Sequence, residues 1–110
     1  MSLEIFISAR AEEDLTLQYR WYLENADEDV AERYLLAVHA TIQAVAGKPD
    51  LGRLRHFAAP ELDRIRSIQI RKPFDSHLLF YGSDTTLRVE RVMHGARDLP
   101  RRLLEPPDQP

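Results

Sequence analysis

The sequence predicts a single α+β domain of order β-α-α-β-β-β, a helical hairpin packed on a mainly antiparallel four-stranded sheet, closed by a short C-terminal helix. Three observations predict it. Apolar residues recur at helical spacing through residues 9–26 and again through 28–46, whereas from Ile65 onward they alternate with polar ones. Glycine- and proline-bearing punctuation at Gly47-Lys48-Pro49 and Gly82-Ser83-Asp84 separates these segments. The helices are grouped rather than interleaved with the later strands, which favours α+β over a doubly wound parallel sheet.

Each element has its own signal. Leu3, Ile5 and Ile7 alternate with Glu4 and Phe6 as a first strand, of which Phe6 is the irregular member. Ser8 is placed to cap the first helix, with Glu12, Glu13 and Asp14 near its positive end. Ala11, Leu15, Tyr19, Tyr22 and Ala26 form that helix's apolar stripe. Asp27-Glu28-Asp29 marks a break and a new acidic start. Ala31, Tyr34, Leu35, Val38, Ile42 and Val45 then share one face of a second helix ending at Gly47. Residues 49–63 read as a loop with at most one short element. Ile65–Arg71, His77–Tyr81 and Thr86–Met93 read as three strands joined as a meander. Asp98 could cap a final helix reaching Leu104, and residues 105–110 read as a disordered tail beyond a domain spanning residues 1–104.

Composition bounds the function. A chain of 110 residues holds one core. It has no cysteine, so disulfides and thiolate metal sites are excluded. No basic leader precedes an apolar run and no window approaches a membrane span, so the reading is soluble and cytoplasmic, without membrane contact. His39 and His56 lack neighbouring ligands at metal spacing, and no glycine-rich loop follows a strand, so neither metal nor cofactor is expected. The net charge of -3 hides a division: residues 1–47 carry three basic against nine acidic side chains, residues 48–103 twelve against seven. Such asymmetry fits an anionic or complementary partner, or a solvated acidic helix pair beside an arginine-rich sheet.

Chemistry concentrates in Leu87–Asp98, where an alternating strand stops at Gly95 after placing His94, Arg97 and Asp98 close together. This is either an active site or a structural corner. Trp21 and Tyr22, with Tyr19 and Tyr34, form an aromatic cluster on the helical hairpin; Tyr22 and Tyr34 read as core. Residues two apart on a helix diverge, so one of Tyr19 and Trp21 reaches the surface, where a partner could cover it.

The order of elements, together with Ala11-Glu-Glu-Asp-Leu15, Ala31-Glu-Arg-Tyr-Leu35, Lys48-Pro-Asp-Leu-Gly-Arg53, Ile68-Gln-Ile-Arg71, Leu79-Phe-Tyr81 and Arg91-Val-Met-His-Gly-Ala-Arg-Asp98, resembles the RelE/ParE toxins of type II toxin–antitoxin modules. The resemblance covers residues 3–104. It implies a plasmid-stabilisation type of toxin, neutralised by a cognate antitoxin that itself carries the DNA contact. RelE-like members cut messenger RNA on the ribosome, and ParE-like members are associated with poisoning DNA gyrase.

Cutting RNA without a metal needs a base, an acid and cations for the phosphate. Arg64, Arg66, Arg71, Lys72, Arg91 and Arg97 could supply cations, His94 the acid or base, and Glu61 or Asp63 a base; His77 opens a different strand. Three observations oppose that. The pI near 5.8 is poorly suited to docking in ribosomal RNA; no tyrosine follows Tyr81, where ribonuclease members place catalytic side chains; and Gly95 marks His94 as a turn residue. The sequence is therefore read as ParE-like, inhibiting gyrase by binding rather than catalysis. The alternatives are a metal-independent mRNA endoribonuclease using His94, Arg66, Arg71 and Arg91, and a non-toxic antitoxin-binding remnant. By the same reading Tyr19, Trp21, Arg66, Arg71 and Arg91 contact the antitoxin, and Arg97, Arg101 and Arg102 the target.

Overall fold

The computed structural model describes residues 2–57, 59–60 and 63–95. The expected C-terminal helix and tail, and with them Arg97, Asp98, Arg101 and Arg102, lie outside the described residues, as does Glu61. Strand β1 (Glu4–Ile7) is followed by helices α1 (Ala9–Asn25) and α2 (Glu28–Gly47), a 3-10 turn at Pro49–Leu51, and strands β2 (Arg53–Leu54), β3 (Arg66–Gln69), β4 (His77–Ser83) and β5 (Thr86–His94).

The strands form one sheet of order β1-β5-β4-β3-β2. β1 runs parallel to β5 and every other pairing is antiparallel. The expectation of four strands is corrected to five. The loop after α2 contributes the two-residue edge strand β2, held by pairing with Arg66 and Ser67 rather than by any apolar alternation of its own.

Local chemistry sets the helix ends. Ser8 Oγ accepts from the Ala11 N–H at 3.0 Å, and Asp27 Oδ1 from the Val30 N–H at 2.9 Å, so each helix has the side-chain cap its sequence offers. Both helices pack on one face of the sheet. Tyr34, Val38, Ile42 and Val45 of α2 meet Leu79 and Tyr81 of β4 and Leu87, Val89 and Val92 of β5 in the main core. Each such side chain contributes about 1.5–3 kcal/mol by leaving water. On the opposite face Ile65, Phe80 and Met93 form a smaller cluster covered by Phe57 and Leu78.

The β4–β5 hairpin is irregular at one point. Tyr81 pairs with Val89 but Phe80 pairs with Arg91, so Glu90 is skipped as a bulge. Beyond it the register moves by one, and His94 rather than Met93 stands opposite His77.

Candidate functional site at the end of β5

β1 ends at Ile7, opposite Val89, so the rest of β5 has no neighbouring strand on that side. The start of α1 replaces it. Ser8 donates its N–H to the Val89 carbonyl at 3.0 Å and its hydroxyl to the Glu90 carbonyl at 2.8 Å. One turn on, Asp14 Oδ2 accepts from the Val92 N–H at 3.1 Å, and Gln18 Nε2 donates to the Val92 carbonyl at 2.8 Å. Asp14 and Gln18, four apart on one helical face, thus satisfy both backbone groups of Val92 as a strand would. Tyr34 holds Gln18 in place by donating its hydroxyl to Oε1.

The same Asp14 carboxylate accepts a two-pronged bond from Arg91, with Nε to Oδ2 at 2.8 Å and Nη2 to Oδ1 at 2.9 Å. Both side chains are nearly inaccessible. Arg91, which the sequence offers as a cation for phosphate or as an antitoxin contact, is buried against α1. A guanidinium fork matched by a carboxylate is the form in which a buried charge is tolerated.

At the open end of the hairpin, away from its turn, His77 and His94 stand opposite each other with ring centroids 4.9 Å apart and planes at 77°. His94 is exposed, whereas His77 is buried among Tyr22, Tyr34 and Phe74, which pack on one another. His77 Nε2 lies 2.9 Å from the Tyr22 hydroxyl, and Nδ1 is buried without a hydrogen-bond partner. Burial, with His94 alongside, lowers its pKa to about 4, so this imidazole is neutral near pH 7. Sequence reasoning set His77 aside because it opens another strand. Only the bulge at Glu90 brings it to His94.

The sequence matches the family described as ParE toxin of type II toxin-antitoxin system, parDE, over residues 5–99. The chain belongs to the ParE toxin family. Among solved structures, a chain described as "Chromosomal ParDE TA system from P. aeruginosa" is similar with a TM-score of 0.68 at 11% identity, covering 86% of this chain and 98% of that one. At that identity the likeness concerns the fold. No curated protein matches.

Among the described residues of this ParE-family chain, the other cations proposed for the site, Arg66 and Arg71, are dispersed. Arg66 pairs with Tyr81, four residues along β4 from His77, hence roughly 13 Å along the sheet from the histidine pair. Its Nη1 donates to the Gly52 carbonyl at 2.8 Å, bracing the turn after α2. Tyr81 braces the same turn, accepting from the Gly52 N–H at 2.8 Å and donating to the Pro49 carbonyl at 2.7 Å. Arg71 follows β3 at the histidine end of the sheet with its side chain exposed, two strands from β5 and so roughly 10 Å across. Tyr19 is half-buried on α1 and Trp21 is 47% exposed, its ring edge-on to Tyr22 at 5.2 Å. No group of three or more His, Asp or Glu side chains at metal-binding spacing occurs among the described residues, and none of the described helices is long and apolar enough to cross a membrane.

Proposed function

We propose that this ParE-family toxin acts by binding, with DNA gyrase as its target, and that a cognate antitoxin neutralises it in the cytoplasm. One observation carries the reading: two of the cations a metal-independent ribonuclease would use are engaged elsewhere. Arg91 is committed to Asp14 and Arg66 to the turn after α2. Among the described residues His94 stands beside a neutral, buried histidine, with the exposed Arg71 roughly 10 Å across the sheet.

Binding surface is available by contrast. Trp21, Leu23 and Leu36 are 47%, 41% and 66% exposed on the helical hairpin. Tyr19, Trp21 and Arg71 are the antitoxin contacts proposed here, with Arg66 in a secondary place at the far end of the sheet. Arg91 contributes by fixing α1 through Asp14. Arg97, Arg101 and Arg102, which follow β5 in sequence, are the proposed target contacts.

Induced expression tests the target. Gyrase poisoning gives a DNA-damage response and filamentous cells with intact transcripts. Truncated transcripts that disappear in His94→Ala would overturn the proposal in favour of the ribonuclease. Absence of any growth defect would favour a non-toxic, antitoxin-binding remnant. Co-expression with the product of the adjacent small gene tests the antitoxin pairing, which fails if the two proteins purify apart.

A further inference from the structure

Among the described residues β1 is the terminal strand of the sheet, and its backbone shows which of its residues face outward. Ser8 donates to Val89, and β1 is parallel to β5 in the register Ile5↔Leu87 and Ile7↔Val89. In a parallel ladder alternate residues direct both backbone groups to the same neighbour. Glu4, Phe6 and Ser8 therefore face β5, and Ile5 and Ile7 present their N–H and C=O groups to the open edge.

We propose that this edge pairs with the same edge of a second copy of the chain, antiparallel about a twofold axis at Phe6, joining two sheets into one. Two outward-facing residues spaced two apart are self-complementary. Ile5 of each copy exchanges both bonds with Ile7 of the other, and the two Phe6 residues meet at a non-bonded position, where Cα atoms lie about 4.5 Å apart. The other symmetric registers fail. Centring on Ile5 would require the Leu3 N–H, which already donates to Ala46 at 3.0 Å. Centring on Ile7 would pair Ile5 with Ala9, the first residue of α1.

The side chains fit the same register. Ile7 packs on the main core, so Phe6 projects from the opposite face, where it is 58% exposed. The twofold places the two phenyl rings together and sets each Glu4 opposite Ser8 of the other copy, so like charges do not meet. β1 also lacks the proline, lysine or bulge that protects an edge, whereas the opposite edge, β2, is two residues long and contains Arg53. This inference is independent of what the toxin targets.

The absence of native cysteine makes the test direct. Under oxidation, full-length Phe6→Cys should cross-link to twice 12.8 kDa. Glu4→Cys should not, because its two thiols would sit on residues roughly 13 Å apart along the paired strands. In sedimentation across a concentration series the unmodified chain should rise from 12.8 kDa toward twice that mass. Ile5→Pro, which removes only an outward N–H, and Phe6→Lys should both keep the native circular dichroism spectrum and remain monomeric. A chain that stays at 12.8 kDa at every concentration overturns the proposal and leaves the edge to a strand of another protein. Equal cross-linking through residue 4, or an Ile5→Pro dimer, overturns it as well.

Discussion

Replacing Asp14 or Arg91 by alanine leaves the other charge buried without its partner, a change expected to cost about 3–5 kcal/mol. Urea unfolding followed by circular dichroism measures it, and removing both charges together with apolar residues of similar volume should cost less than either single change. Nothing in the local sequence signals this pair. Asp14 follows Glu12 and Glu13 near a helix start, where a carboxylate reads as dipole compensation, and its partner lies 77 positions away. His77 makes a second residue-level prediction. Its folded pKa, about 4, lies below the unfolded value near 6.5, so the unfolded chain binds more protons between the two. Stability from this group is present above pH 6.5 and is lost as pH falls toward 4. The urea midpoint should therefore decline over that window more steeply than in His77→Gln. At Gly52 an added Cβ would lie 2.6 Å from the Tyr81 hydroxyl and 2.9 Å from the Ser67 carbonyl. Gly52→Ala should accordingly destabilise by about 1–3 kcal/mol in the same assay.

At the scale of elements, the helical hairpin and the three-strand meander were legible because each rests on local periodicity and on turns read from a few residues. Ser8 illustrates both the reach and the limit of such reading. Its helix-capping role was visible from the residue type, but its second bond, to the Glu90 carbonyl, depends on where β1 stops alongside β5. Ser8→Ala removes both bonds and should cost about 1–2 kcal/mol, with faster hydrogen exchange at the Ala11 amide than at the mid-helix amides of α1. β2 was not legible, since two residues carry no periodicity and its pairing is supplied entirely by β3. The bulge at Glu90 was equally hidden. Extending the register of the turn residues pairs His77 with Met93, and only the inserted residue corrects it to His94. The histidine pair therefore required the fold before it could be found.

Across the whole molecule, the charge division seen in the sequence follows the architecture, with acidic residues on the hairpin and basic ones along β2, β3 and the turns beside them. Glu12, Glu13, Glu24 and Glu32 are exposed on the helices, and Arg53, Arg64, Arg71 and Lys72 on β2 and the segments flanking β3. Antitoxin affinity that uses these exposed cations should weaken as salt is raised from low to physiological concentration, because charges separated by more than about 8–10 Å are then screened. Isothermal titration at several ionic strengths measures the slope, and Arg71→Ala should reduce it. The family was legible from six short segments in order because the fold keeps them on the expected elements. The site residues were less so, since exposure and pairing are decided by contacts far apart in the chain.

The side chains that stand in for a missing strand also make α1 and β5 one mechanical part. Asp14 and Gln18 grip both polar groups of Val92, and Tyr34 of α2 grips Gln18. Rotating or sliding α1 by one residue would strip those groups of their partners at once, so the helix has no low-cost intermediate position. A partner pulling on Trp21, near the far end of α1, therefore works against the strand that leads to His94 and on to Gly95. Trp21 packs on Tyr22, which bonds His77 beside His94, so a load on the end of that helix falls at the same end of the sheet as the exit from β5.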